Sequence, residues 1–554
     1  MKKLILSAII TLALTIALPT ATAIAKEMTA TLPDFDITLN GVTVDNETRQ
    51  YPFLVCNDIT YFPMTYYDCR FLGIESIWDD GSKTLTVTDT NLSCAYRDYA
   101  SEIKNGRYHR ARVCDFGVIV NGDTIDNSAE QYPLLTYRGV TYFPLTWRFA
   151  VDEFGWKYYN FDKENGLVIN SDTPHIESVT LPGLTGDVAY DGEYYIYNAA
   201  VGENNYIYAY NNEERYYDKG KIRILHQLPF TNLSKHASFV SSHDGIYAVY
   251  TAGTSPIMSS ARCYEVNARE GILTPETHDN WFYGNHGYSE YSVRKEKISV
   301  RAFNPYFDSA TEFSCTIDGE TFTVPALEGR IRVGAYRDGK AKSMSADKLI
   351  KIYGDKIYYT AADLNSESPT SNLYVIDTKK GTVSKLIDGV CGFAVYNGWS
   401  NELRSDSTMI LFDNGGVTMR YSEADGKIIT VDNSPVDTEG LVLDCAVGGI
   451  DCYAVYQAID GSRTVIKRLR GYAQGNASGD CTLFETVTGT NIILADGKLA
   501  VNVLGESADD SVRLLVLGDG VEYRNCDIAR SIFLRDNVLV YSMYDNTVAK
   551  VYLK

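Results

Sequence analysis

The chain has 554 residues, 45% of them hydrophobic and 22% charged, with a formal net charge of −20. That balance belongs to a folded protein rather than a disordered acidic tail, and the length suits about three or four ordinary domains. A surface this acidic repels phosphate backbones, which argues against nucleic acid as a partner.

Residues 1–25 read as a secretory signal peptide. Lys2 and Lys3 precede an apolar run from Leu4 to Leu18, and small residues at Ala21/Ala23 or Ala23/Ala25 fit the peptidase. The competing reading, an N-terminal membrane anchor, asks for a longer apolar run. No Cys lies near the cleavage site to carry a lipid, and "TVAKVYLK" at 547–554 shows neither an apolar span nor a sorting tail. The expectation is an exported protein beginning near Ile24 or Lys26, secreted or held non-covalently at the cell surface, with no stable membrane span after cleavage. Losing Lys2 and Lys3 takes the charge from −20 to −22.

Next comes a repeat. "QYPFLVCNDITYFP" begins at 50 and "QYPLLTYRGVTYFP" at 131, 81 positions on. The register extends upstream, with Asn40-Gly41 matching Asn121-Gly122 and Asp45-Asn46 matching Asp126-Asn127. The chain therefore carries a duplicated module. In each copy Asn-Gly predicts a type I′ hairpin, because both central positions need positive φ. A second hairpin follows. Pro63 then opens a short helix, Met64 to Leu72, that Gly73 closes; Pro144 and Gly155 bound the second. "IESIWDDGSKTLTVTD" and "KYYNFDKENGLVINSD" predict a final strand pair in each copy.

The Asn-Gly hairpin, the phrase ending T-Y-F-P, the short helix with its glycine, and the W-D-turn-T-V-T ending together resemble the copper amine oxidase N-terminal-like, or stalk, domain of bacterial surface proteins. The resemblance covers about 37–89 and 118–171 and implies a small antiparallel sheet wrapped on one helix in each copy. The family usually has Arg two residues after the Pro that opens the helix, where this chain has Thr65 and Thr146; Arg148 comes later. Copper chemistry is not expected. Seven His stand at 109, 175, 226, 236, 243, 278 and 286, no two of them two apart, whereas a copper site needs convergent imidazoles. Asn205-Tyr206 is followed by Ile207, which is not the setting of a quinone precursor. A stalk without an oxidase, and without a cofactor, is the expectation.

From about 175 the pattern changes. Polar turns followed by β-rich runs, among them "YDGEYYIYNA", "HDGIYAVYTA", "GDKIYYTAAD", "RSDSTMILFD", "ADGKLAVNVL" and "RDNVLVYSMY", recur every 40–58 residues or so. Eight such units of about four strands predict a β-propeller of seven or eight blades, with six as the fallback and a β-solenoid as the alternative. The last unit runs out after about three strands, and 175–183 is placed to supply the missing one. The domain expectation is thus signal peptide 1–25, stalk module 36–90, linker 91–115, stalk module 116–172 and propeller 175–554. The fold class is mainly β, two small α+β modules followed by a propeller expected to fold without 27–172. The D-G-x-I-Y-Y phrases also resemble the propeller-like repeats behind stalk domains in Gram-positive exported proteins.

Sequence signatures of chemistry are few. There is no G-x-S-x-G elbow, no H-E-x-x-H, and no complete calcium loop in "WDDGSK", "FDKENG" or "GESADDS". The 11 Cys contain no C-x-x-C pair, so no metal is expected. Buried free thiols are the preferred reading, with Cys56–Cys69 or Cys94–Cys114 as pairs that export would permit. Carboxylate pairs for glycoside hydrolysis meet in space rather than in sequence, so a glycan-active hydrolase or lyase in the propeller channel stays open. Tyr is abundant, 42 of 554. Most stand in strands, as β-propensity favours. Those in turns, Tyr66, Tyr67, Tyr216, Tyr217 and Tyr283 with Trp281, are candidate ligand platforms. The stretch 96–112 is a basic island; Arg97, Lys104, Arg107, Arg110 and Arg112 are candidates for an anionic wall polymer, or a solvated linker. A non-catalytic binding protein for cell-wall polymer, polysaccharide or another surface protein is the main expectation.

Overall fold

The computed structural model describes residues 26–211, 222–229, 235–242, 245–253, 259–275, 291–295, 298–302, 313–317, 320–323, 331–333, 335–343, 350–363, 365–377, 379–400, 405–415, 417–432, 440–448, 451–458, 463–470, 478–486, 490–495, 497–504 and 512–553. The chain is nearly all β and divides into two compact units. The first holds the described residues up to Cys69, then Ile74–Asp89 and Arg97–Ser171; the second holds Arg70–Gly73, Thr90–Tyr96 and Asp172 onward. Among the described residues no helix is long and apolar enough to cross a membrane.

In the first unit the predicted hairpins form as the turn chemistry dictates. Asn40 and Gly41 take φ of 43° and 84°, Asn121 and Gly122 50° and 94°, so both central positions are left-handed. The helices are shorter than predicted. Tyr66–Phe71 is α-helical, and Thr65 caps it, its hydroxyl accepting from the Asp68 N–H at 3.2 Å. In the second copy Arg148–Glu153 is a π-helical turn, with the Phe154 N–H bonded to the Phe149 carbonyl. The reason lies in the spacing: Pro63 to Gly73 is one residue shorter than Pro144 to Gly155. A wider turn absorbs the extra residue and leaves the next strand in place.

The boundary expected between the modules 36–90 and 116–172 does not divide their sheets. The second hairpins of both copies, Leu54–Cys56/Ile59–Pro63 and Leu135–Tyr137/Val140–Pro144, join Glu27–Thr31 and Tyr108–Val113 in one closed six-stranded barrel. The Asn-Gly hairpin of copy one, beginning at Ile37–Leu39, pairs in parallel with Gly166–Asn170 at the end of copy two. Reciprocally, Gly117–Val120 of copy two pairs in parallel with Thr84–Asp89 of copy one. Each copy completes the other's sheet, so neither has a core of its own, as the small apolar content of one module requires. The predicted linker 91–115 contains the barrel strand Tyr108–Val113, hidden in the sequence because His109 and Ala111 are the inward residues.

The second unit repeats one motif. Four-stranded antiparallel meanders run from Leu184–Tyr190 to Ile222–Gln227, Ser238–Ser242 to Ile272–Pro275, Tyr291–Lys295 to Glu320–Thr323, Phe393–Ser400 to Ile428–Asp432, Gly440–Gly448 to Ser478–Thr486, and Thr490–Ala495 to Val521–Asn525. A five-stranded sheet lies in between, from Ile331–Val333 to Thr382–Ile387. The last sheet has Ser531–Arg535, Val538–Ser542 and Thr547–Tyr552, and its fourth strand is Ile176–Thr180, antiparallel to Thr547–Tyr552. The sequence expectation for 175–183 is met at this strand. Each recurring phrase falls on the second strand of its sheet, and in Tyr195–Val201, Lys356–Asp363 and Lys498–Val503 both faces are largely buried.

Neighbouring sheets pack face to face. Leu184, Val188 and Tyr197 of the first meet Val540 and Val548 of the last. Phe393 and Phe412 pack on Tyr358 and Leu373, and Tyr453 and Val455 on Leu499 and Val501. First sheet against last makes the arrangement propeller-like.

Thr90–Tyr96, expected as linker, also belongs to this unit. Ser93 N–H donates to the Arg524 carbonyl at 3.2 Å, Cys526 N–H to the Ser93 carbonyl at 3.0 Å, and Ala95 N–H to the Asp527 carboxylate at 2.7 Å. Ser93, Cys94 and Ala95 are fully buried. The propeller-like unit therefore includes residues that removal of 27–172 would take away. Cys56, Cys69, Cys94, Cys114, Cys391, Cys452 and Cys526 are free thiols, and burial pushes the Cys114 thiol up to about 11.

Candidate functional site

The structure brings two of the predicted groups together. Tyr66 and Tyr67 open the helix Tyr66–Phe71, and their rings meet edge to face at 5.1 Å. Tyr67 packs on Tyr99 at 5.9 Å, and Tyr99 on Tyr51 at 5.4 Å, giving a run of four tyrosines. The Arg97 guanidinium stacks over the Tyr67 ring at 4.5 Å and donates to its hydroxyl at 3.1 Å. The Tyr99 hydroxyl accepts from the Tyr67 N–H at 3.2 Å. Tyr66 stands 48% exposed at the open end of the run. The result is a preformed aromatic surface carrying one delocalised cation, suited to stacking and hydrogen bonding.

The platform stands on a buried ion pair that sequence reading missed. One nitrogen of Arg49 donates to both Asp68 oxygens at 2.8 and 2.7 Å, and the Thr65 hydroxyl donates to the same carboxylate at 2.6 Å. Both charged side chains are fully buried. Burial pushes the Asp68 carboxyl up while Arg49 pulls it down. Asp68 sits next to Tyr67 on the helix, so the pair fixes the turn that presents Tyr66 and Tyr67. In copy two the polarity is reversed: Glu130 occupies the position of Arg49, and it pairs with Arg148 at 2.5 Å near the surface.

The remaining basic candidates are dispersed. Lys104 pairs with Glu47 at 3.1 Å, and Arg112 lies 3.8 Å from Glu27. Arg110 and Arg112 share the outer face of the barrel strand Tyr108–Val113, and Arg107 lies 5.8 Å from the Tyr108 ring centroid. Partners within the chain thus take up part of the island's charge. Tyr216, Tyr217, Trp281 and Tyr283 lie outside the described residues. Among the described residues there is no group of three or more His, Cys, Asp or Glu placed to hold a metal.

The second unit adds a cluster that no motif announced. Asp187, on the first strand Leu184–Tyr190, accepts a hydrogen bond from the Ser238 side chain and feels the charges of His236 and Arg530. The Thr185 hydroxyl lies 3.5 Å from His236 Nδ1. His236 and Arg530 each closely precede the first strand of their own sheet, so all these groups gather at one end of neighbouring first strands. Burial raises the Asp187 carboxyl; burial, and then Arg530, lowers the His236 imidazole. Both shifts favour the neutral form. Tyr544, 69% exposed, lies beneath the Arg530 guanidinium at 5.6 Å.

The chain matches no protein-family model, and no curated protein matches it in sequence. Among solved structures, BamB from Moraxella catarrhalis is 14% identical over 68% of this chain and 98% of its own, with a TM-score of 0.34. The Dos1 propeller is 11% identical over 68% and 94%, with a TM-score of 0.35. The polysaccharide lyase Uly1 is 11% identical over 67% and 93%, with a TM-score of 0.28. Similarity at that level assigns no chemistry, and the propeller-like ring rests on its own strand pairings.

Proposed function

We propose that this is an exported binding protein without catalysis of its own. It pairs an eight-bladed propeller with a duplicated stalk-like unit that serves attachment or spacing at the cell envelope. The observation that carries the reading is the tyrosine run Tyr51–Tyr99–Tyr67–Tyr66 with Arg97 stacked on it. It is a surface organised in advance, four packed rings and one guanidinium held by contacts within the chain. Its ligand is a wall polymer, a polysaccharide or another surface protein. Retention of the full-length protein on purified cell walls tests the reading, with Tyr66→Ala/Arg97→Gln alongside. The variant is expected to lose most retention; retention equal to the parent would overturn the assignment.

A second reading, a glycan-active enzyme, is favoured by one observation, the gathering of Asp187, His236 and Arg530 at the ends of the first strands. Turnover of polysaccharides by the parent, abolished in His236→Gln, would move the assignment there.

A further inference from the structure

The two sheets in which the copies complete each other carry the same aromatic arrangement. In one, the Trp78 and Phe116 rings meet edge to face, with centroids 5.0 Å apart at 85°; in the other, Phe161 and Phe35 meet at 4.9 Å and 75°. Phe35 and Phe116 are counterparts 81 positions apart, and Trp78-Asp79 and Phe161-Asp162 hold the same place in their hairpins. Trp78 is 45% exposed and Phe161 55%. One exposed ring needs no explanation. The same exposed pair in both copies, where Arg49 and Glu130 show how far other positions have diverged, calls for one.

Trp78 is also held in place. Phe116 packs on it edge to face, and Asp80 in the adjoining turn is paired with Lys83 at 2.6 Å. A ring already fixed loses little freedom when a ligand settles on it. The rim tells what that ligand is. Asp79 and Asp80 border Trp78 with Lys83 as the one cation of the turn, and Asp162 and Glu164 border Phe161 with Lys163 between them, so each rim is net acidic and an anionic polymer is disfavoured. A neutral sugar fits: its C–H face stacks on the ring, and its hydroxyls donate to carboxylates. Two like sites on one chain suit a ligand whose units repeat.

We propose that the Trp78–Phe116 and Phe161–Phe35 pairs are twin stacking subsites for a neutral glycan. The proposal rests on the reading of this protein as a binder, but on residues separate from Tyr66 and Arg97. Calorimetry of the full-length protein with cellohexaose, xylohexaose, mannohexaose and chitohexaose, with polygalacturonate as the anionic control, tests it. At least one neutral oligosaccharide is expected to bind. Trp78→Ala and Phe161→Ala each weaken it about tenfold, the loss of one stacking contact, and together they abolish it, while Trp78→Phe retains most of the affinity. Circular dichroism and the thermal transition verify that each variant is folded. Binding that survives the double variant, binding of polygalacturonate alone, or no binding by the parent would each overturn the proposal. Loss in Tyr66→Ala/Arg97→Gln with retention in the double variant would overturn it too, leaving the broader reading intact.

Discussion

Phe62 and Phe143 stand directly opposite each other in the barrel, and each is the other's counterpart in the repeat, 81 positions apart. On either side Tyr61 faces Pro144 and Pro63 faces Tyr142, so the register is the same read from either copy. A local two-fold axis passes through this pair. Both rings are fully buried, Phe62 against Phe53 and Trp156, Phe143 against Phe149 and Phe154. Phe62→Ala and Phe143→Ala are each expected to cost about 3–5 kcal/mol, the range for a large buried ring replaced by a cavity. Denaturant unfolding of the first unit measures this, and a cost near zero for either would remove the pair from the core.

The reciprocal pairing predicts how fragments behave. A chain of residues 26–89 has no copy-two strand to lie beside Ile37–Leu39 or Thr84–Val87, as each does in the whole protein. It is expected to show no cooperative transition as a monomer. Sedimentation with thermal circular dichroism tests this; a folded monomeric fragment would contradict the exchange.

Glycine is required where the exchanged strands cross. Gly166 has φ of +70°, and a Cβ there would lie 2.1 Å from the Asp36 carbonyl oxygen. Gly166→Ala is expected to destabilise the first unit by about 2 kcal/mol or more, from strained backbone and the forced shift. Gly122, also left-handed but with open space around a Cβ, provides the comparison: Gly122→Ala bears the backbone term alone and should cost less.

Breaking the buried ion pair should cost more than a surface pair would. Arg49→Ala leaves the Asp68 carboxyl buried without its main partner, and about 3–5 kcal/mol is the expected loss. Lys104→Ala, which removes an exposed partner of Glu47, should cost under about 1 kcal/mol. Urea unfolding of the two variants beside the parent measures the difference, and equal costs would contradict it.

Acid sensitivity has a local source in the barrel. His109 is buried, its Nδ1 2.8 Å from the Tyr137 hydroxyl, and burial, then the charge of Arg138, lowers its imidazole from the ordinary 6.5. A lowered folded-state value means that the stability it supports is complete above 6.5 and drains away as pH falls from there through the folded value. Met28 is its counterpart in copy one, so His109→Met should flatten the decline in unfolding free energy between about pH 7 and 5. An unchanged slope would place the titration elsewhere.

What was legible in the sequence was local or periodic. Asn40-Gly41, Asn121-Gly122 and the bounding Pro and Gly named their turns because the backbone they require is residue-specific. The eight phrases marked the second strands because each sets a polar turn before a β-rich run, and runs such as Lys498–Val503 are buried on both faces. The partner of each strand was not legible. Exchanged and unexchanged pairings bury the same side chains, so nothing in Ile37–Leu39 says that Leu167–Ile169 lies beside it rather than a strand of its own copy. The platform was half visible: Tyr66, Tyr67 and Arg97 stood out, but Tyr51 and Tyr99 looked like ordinary strand and linker residues. Arg49 and Asp68 gave no signal, since a charged residue carries no mark of its burial.

The pairing of Ile176–Thr180 with Thr547–Tyr552 has a consequence for the order of events during synthesis. Translation delivers Ile176–Thr180 long before Thr547–Tyr552. Until then Ile176–Thr180 is an unpaired edge, and the ring behind it stays open however many sheets have formed. An open ring is a chain that can still be threaded, whereas a closed one must unfold first. Closure therefore acts as a timer tied to polypeptide length: the ring can lock only once the strand at 547–552 has been made, and any chain released early is left with a bare edge for another protein to bind.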